Sequence, residues 1–164
     1  MLQKLFGALL LGTALFSAGL VNAEEIRRTE RPGSPLSNLV RVPAGYDYVF
    51  ISGTTAGSGG TPIPVGADTK AQVSIIYEKF KTWLAGEGMT MGDIVMLRVF
   101  LVPDPNTGRV DTRGANEAYA MFFGSAEQPV LPSRITLPTS LGGRAMAEIE
   151  AIAAKKPASS VRKE

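Results

Sequence analysis

The stretch Ala147-Glu148-Ile149-Glu150-Ala151-Ile152-Ala153 alternates two kinds of side chain, and its period sets how the rest of the chain is arranged. Successive side chains of a strand point to opposite faces. In a strand read over residues 145–153, Ala147, Ile149, Ala151 and Ala153 share one face, while Met146, Glu148, Glu150 and Ile152 share the other. One face is wholly apolar and the other carries two carboxylates.

Working back from it, Arg134-Ile135-Thr136-Leu137 reads as the preceding strand, joined by Pro138-Thr139-Ser140 and Gly142-Gly143. Residues 113–123 hold Ala115, Ala118, Tyr119, Phe122 and Phe123 at helical spacing. Residues 103–112 form a turn-rich loop. Residues 94–102 are apolar on both faces except for Arg98, which predicts a strand covered on both sides. Arg98 either lies in a subunit interface or pairs with an acid. The clearest helix carries Val73, Ile76, Tyr77, Phe80, Trp83 and Leu84 and ends at Gly86 or Gly88. Its start is a Thr69/Gln72 capping box or an Asp68 cap. The glycine-rich segment 54–67 lacks a Gly-Lys-Ser/Thr ending and reads as a plain loop, not a phosphate cradle.

Residues 46–52 are aromatic and β-branched and predict a strand ending at Gly53, with a short strand at Val40–Val42 before it. Residues 24–39, with Pro32, Gly33 and Pro35, read as an irregular lead-in. The order is strands, long helix, strand, helix, strands. It predicts an α+β domain over residues 40–154 with two helices on one face of a sheet. No remaining segment supplies cover for the opposite face, so a homo-oligomer packing sheet against sheet is expected.

Both ends stand apart. Lys4, the apolar run Leu5 to Leu20 and Val21-Asn22-Ala23 have the layout of a secretory signal peptide over residues 1–23, cleaved after Ala23. The alternative is a single membrane anchor, for which the run is short and broken by Gly7, Gly12 and Gly19. Cleavage leaves no stable membrane anchor and places the protein in the periplasm or outside the cell. Residues 155–164 read as a polar, disordered tail.

The chain has 164 residues, 45% hydrophobic and 20% charged, with formal charge +2; the leader carries one Lys and no acid, so its removal leaves +1. That balance gives no broad basic field for nucleic acid. Neither Cys nor His occurs. Disulfides, Cys/His zinc sites, Cys nucleophiles and Ser-His-Asp triads are thereby excluded. General acid–base work falls to a carboxylate, Lys, Tyr or a bound water.

Arg134 stands out against that background. A guanidinium stays charged and grips carboxylates in two places, so a small anionic ligand is its natural partner. Glu148 follows in the next strand-like run. The bland alternative is that the two form a structural ion pair on adjacent strands.

The runs Phe50-Ile51-Ser52-Gly53, Gln72, Gly88 and Gly92-Asp93-Ile94-Val95 resemble the Rid family, the reactive intermediate deaminases, also called YjgF-like proteins. The likeness continues through Asn116, Tyr119, Phe122-Phe123, Pro132-Ser133-Arg134 and Ala147 to Ala153, and covers about Val40 to Ala154. Pro-x-Arg and Glu-Ile-Glu-Ala-Ile-Ala are its most specific parts. The resemblance implies a chorismate-mutase-like (YjgF-like) fold in a homotrimer, with ligand clefts between subunits. It implies hydrolysis of 2-imino acids or their enamine tautomers to 2-oxo acids and ammonia, without metal or cofactor.

Under that resemblance Arg134 clamps the substrate carboxylate and Glu148 holds the attacking water. Asn116, Ser52, Gly53 and Thr136 line or orient the cleft, with Asn116 as a ligand-free helix-face residue being the alternative. Active members often carry a Tyr in the lead-in strand, where a spacing count back from Ser52 places Leu39. A non-catalytic trimer that binds small carboxylates is the second class of reading. The ribonuclease activity attributed to some relatives is a third, against which the charge and the missing His argue.

Overall fold

Asp68 opens the long helix α1 (Thr69–Gly86): its side chain accepts a hydrogen bond from the Ala71 N–H at 2.8 Å. The cap is therefore Asp68 and not the Thr69/Gln72 box. Gly88, at φ +66°, closes the other end. There the Gly88 N–H donates to the Ala85 carbonyl and the Met89 N–H to the Leu84 carbonyl, the pairing of a Schellman motif. Val73, Ile76, Tyr77, Phe80 and Leu84 are buried along one stripe, whereas Trp83, expected with them, is 43% exposed.

The structure is a computed structural model that describes residues 24–30, 32–104 and 107–158. The expected leader, residues 1–23, lies outside the described residues, as do residues 159–164 of the expected tail. The strands are β1 (Arg27–Glu30), β2 (Ser37–Arg41), β3 (Asp47–Thr55), β4 (Ile94–Leu101), β5 (Ser133–Pro138) and β6 (Ala147–Lys155). Helix α2 (Thr112–Ala120) lies between β4 and β5, its first turn capped by Asp111, which accepts from the Gly114 N–H.

The main sheet runs β3-β6-β4-β5. β6 is antiparallel to both neighbours, and β4 and β5 are parallel. It is an α+β fold with both helices on one face. Leu97, Val99 and Leu101 of β4 lie opposite Ala151, Ile149 and Ala147 of β6, and all are buried. They form one core with the inward stripe of α1 and with Ala115, Ala118 and Tyr119 of α2. The alanines of β6 keep this layer thin enough for the bulky side chains of α1 to fill it.

The lead-in is not irregular. β1 and β2 pair antiparallel as a separate ribbon around Gly33, whose φ of +75° suits the turn. Short charged segments are poor strand formers alone, and tertiary contacts decide here. The Ser37 N–H donates to the Pro132 carbonyl, and its hydroxyl to the Leu131 carbonyl at 2.7 Å. Ile26, Val40 and Val42 pack with Tyr46, Val95, Ile152 and Ala154. The chain thus covers one end of the outer sheet face, contrary to the expectation that no segment remained to do so.

The rest of that face is open in one chain. Phe50 is 73% exposed, Ile135 44% and Leu137 43%. β4 is accordingly buried on its inner face but not on its outer one, a departure from two-sided burial. Arg98 projects outward and its Nη1 donates to Glu150 Oε2 at 2.9 Å, directly across the β4–β6 ladder. Being exposed, the pair contributes only about 0–1 kcal/mol.

Gln72 ties the helix layer to the last strand. Fully buried, its Nε2 donates to the carbonyls of Ala67 and Arg144, and its Oε1 accepts from the Met146 N–H. Gln72→Leu keeps the volume but orphans all three backbone groups. Urea or thermal unfolding at fixed protein concentration is expected to show a loss of about 1–3 kcal/mol. An unchanged midpoint would show that water replaces the amide without cost.

Candidate functional site

On the inner face of edge strand β5, Arg134 lies in register with Leu97. Its guanidinium reaches over α2, where Asn116 and Tyr119 stand one helical turn apart and so present neighbouring side chains. Nη2 donates to Asn116 Oδ1 at 2.7 Å, and Cζ lies 4.4 Å from the centroid of the Tyr119 ring. The ring is fixed from below, stacked on Phe123 at 4.7 Å, while its hydroxyl donates to the Pro35 carbonyl. A cation held over an aromatic face in a part-buried setting is well placed and costly to move.

The Nε–H of Arg134 is buried and has no hydrogen-bond partner among the described residues. Beside the guanidinium lies a small cleft of about 110 Å³ bordered by Tyr77, Val99, Thr112, Ala115, Asn116 and Thr136. Arg134, Asn116 and Thr136 therefore come together, as expected. Burial raises the Tyr119 hydroxyl to about 12, with Arg134 pulling it down and Glu30 pushing it up. Burial likewise raises Tyr77, against Arg134. Both are neutral phenols at ordinary pH, so neither serves as a base there.

Ser52, Gly53 and Glu148 form a second cluster elsewhere. The β3–β6 register shifts between Ile51 and Thr54, leaving Ser52-Gly53 as a bulge beside the Thr55–Glu148 pair. Bulges of this kind re-aim groups near sites. The Thr54 hydroxyl donates to the Ser52 carbonyl at 2.8 Å and steadies it. A β-carbon on Gly53 would fall 1.9 Å from Glu148 Oε1. Any larger residue here obliges the Glu148 carboxylate to leave its present position.

The two clusters do not meet within one chain. Arg134 aligns through Leu97 with Ala151 on the inner face, whereas Glu148 aligns with Phe100 on the outer face. β4 separates their strands, a lateral gap of about 10 Å. They are not on adjacent strands, so the structural ion pair is ruled out. Leu39, which spacing alone set at the expected tyrosine position, is 52% exposed on β2 opposite Thr29.

A larger hollow, about 810 Å³, is lined by Ile63, Asp68, Pro103, Asp111, Leu141 and Met146 among others and contains none of these residues. Sequence reasoning did not assign Tyr119 and Tyr77 to the site. The Asn116-x-x-Tyr119 spacing was the available signal for the first; nothing local pointed to the second. Among the described residues, no group of three or more His, Cys, Asp or Glu is arranged to hold a metal ion.

Two outcomes test this geometry. Unfolded tyrosines release their protons near pH 10, while folded Tyr119 keeps its proton to about 12. The unfolded state then binds fewer protons, so stability falls as pH rises between these values. Tyr119→Phe is expected to reduce that slope while costing about 1 kcal/mol at neutral pH through the lost hydrogen bond. In Gly53→Ala the Glu148 carboxylate, the end of a flexible side chain, must swing aside, and unfolding measurements are expected to show a loss of no more than about 0.5 kcal/mol. A clearly larger loss would mean that the carboxylate does not swing aside freely.

No protein-family model matches the chain. Among solved structures it is similar to Escherichia coli TdcF with bound serine, at 32% identity over 70% of this chain and 84% of that chain, TM-score 0.55. It is similar to the E. coli YjgF gene product at 29% identity over 70% of this chain and 84% of that chain, TM-score 0.55. It shares the fold of YyfB from Yersinia pestis, a protein of unknown function of the conserved Rid family, at 21% identity over 79% of this chain and 98% of that chain, TM-score 0.62. By its identity to TdcF and the share of that protein it spans, this chain belongs to the Rid, or YjgF-like, family.

Proposed function

We propose that this protein is an exported Rid-type hydrolase that converts small 2-imino acids or their enamine tautomers into 2-oxo acids and ammonia. The observation that carries the reading is the Arg134 guanidinium, held by Asn116 over Tyr119 with a buried N–H that nothing among the described residues satisfies. A buried donor without a partner costs stability, and a ligand carboxylate recovers it. TdcF with bound serine supports a small α-amino-acid skeleton as the shape to be held.

Glu148 supplies the other half. A protonated imine is already electrophilic, so catalysis needs a positioned water and an acceptor for its proton. The carboxylate takes a proton from water as oxygen bonds to C2, and the C=N π electrons move to nitrogen. The proton passes from Glu148 to nitrogen; as the C–N bond of the carbinolamine breaks, the O–H electrons close the C=O bond, the hydroxyl proton goes to the departing ammonia, and ammonium and the 2-oxo acid remain. Arg134 holds the carboxylate throughout, and neither metal nor cofactor takes part.

Because Arg134 and Glu148 face opposite sides of one sheet, the site is completed between subunits. The exposed Phe50, Ile135 and Leu137 of the outer face support a homotrimer that buries them. The composition of residues 1–23 supports export to the periplasm or beyond. Leu39 favours a second reading, a trimer that binds small carboxylates without turnover.

The test generates 2-iminopropionate in situ and follows its decay. The wild type is expected to accelerate hydrolysis. Arg134→Ala is expected to lose about 10- to 100-fold in kcat/KM, and Glu148→Gln about 100-fold or more in kcat. No acceleration over buffer contradicts the hydrolase reading, and calorimetric binding of 2-oxo acids without turnover establishes the second.

A further inference from the structure

Lys79 projects from α1, half-buried, toward the loop that follows the Ser52-Gly53 bulge. Its Nζ donates to the Ala56 carbonyl at 2.8 Å and also to the Ser58 carbonyl. Ser58 in turn accepts the Thr55 N–H at 2.9 Å on its hydroxyl, and the Gly57 N–H donates to the Thr55 hydroxyl. Thr55 is the ladder partner of Glu148, and the carboxylate of Glu148 rests on Gly53. An unbroken set of bonds thus runs from the ammonium on the helix to the backbone beside the acid.

The mechanics explain why a cation is used. β3 is an edge strand, and beyond Thr55 the chain enters a glycine-rich loop with Gly59 and Gly60 both at φ +79°. Such a loop has little stiffness of its own. The bulge is held on its near side by the Ile51–Ala151 pair and on its far side by the Thr54–Ile149 and Thr55–Glu148 pairs. Beyond that short ladder end the carbonyls of Ala56 and Ser58 face α1, and an ammonium on the packed helix supplies two charge-assisted bonds to them.

We propose that Lys79 is a positioning residue: it fixes the Ser52-Gly53 bulge, and with it the Glu148 carboxylate, at the water-activating half of the site. This rests on the hydrolase reading for its catalytic consequence, though not for the clamp itself. Arg134 binds and Glu148 performs chemistry, so loss of Lys79 acts on kcat and spares KM.

The experiment compares Lys79→Met and Lys79→Arg in the purified protein by amide hydrogen exchange and by imine hydrolysis. In Lys79→Met, exchange at the Thr55 and Gly57 amides is expected to rise about tenfold, with the α1 amides unchanged. The same variant is expected to lose on the order of tenfold in kcat, with KM within about twofold of the parent. Lys79→Arg, which keeps a cationic donor, is expected to retain most of both.

Unchanged exchange or unchanged kcat in Lys79→Met overturns the proposal. So does a raised KM at constant kcat, or an equal loss in both variants with a lowered Tm, which marks a merely structural role. If the wild type hydrolyses no imine, the hydrolase reading fails on its own, and the exchange result alone decides the clamp.

Discussion

The alternation of side chains along β6 is the constraint on which the rest of the molecule depends. This strand runs inside the sheet, between β3 and β4, with Ala147, Ile149, Ala151 and Ala153 sealed beneath the helices. A slip of one residue would send Glu148 and Glu150 into that core. Removing a carboxylate from water without a partner costs several kcal/mol, so the register is fixed. Glu148 is thereby committed to the outer face. The parallel pairing of β5 commits Arg134 to the inner one, under α2. The separation of the two residues follows from the same packing that makes the fold stable.

This separation divides the chemistry. The arginine half is well anchored: a guanidinium stacked on Tyr119, tethered to Asn116, with one buried donor unsatisfied among the described residues. The acid half sits at a bulge in an edge strand, where Gly53 makes room for the carboxylate and the Lys79 clamp steadies the loop beyond it. The proposed imine hydrolysis needs neither His nor Cys, because it assigns binding to Arg134 and proton transfer to Glu148. The outer face bears on the same proposal, since its exposed apolar side chains offer a surface for the second subunit that the proposed site requires.

Much of this was legible before any coordinates. The helical stripe of α1, the strand period of β6 and the placement of Arg134 follow from local patterns of 3.6 and 2 residues. The ribbon β1–β2 was not legible, because its strands are anchored by contacts far along the chain, Arg28 on the Gly92 carbonyl and Ser37 on Leu131 and Pro132, and not by their own propensity. Strand order was hidden for a related reason. Arg134 and Glu148 lie in consecutive strands of the sequence, yet β4, from much earlier in the chain, is inserted between them. Arg98 could be paired with Glu150 only once that insertion was known. Trp83 fitted the helical stripe by spacing, but stands at its exposed margin.

The central claim is that the site draws Arg134 from one subunit and Glu148 from another. Subunit mixing tests it most directly. Arg134→Ala and Glu148→Gln proteins, each strongly impaired alone, are dissociated, combined in equal amounts and reassembled. In a closed ring of three, every mixed trimer contains one boundary with both native residues. Random assembly is therefore expected to restore about a quarter of the wild-type activity per subunit. A mixture as impaired as its components, with mixed trimers verified by mass, would contradict the account.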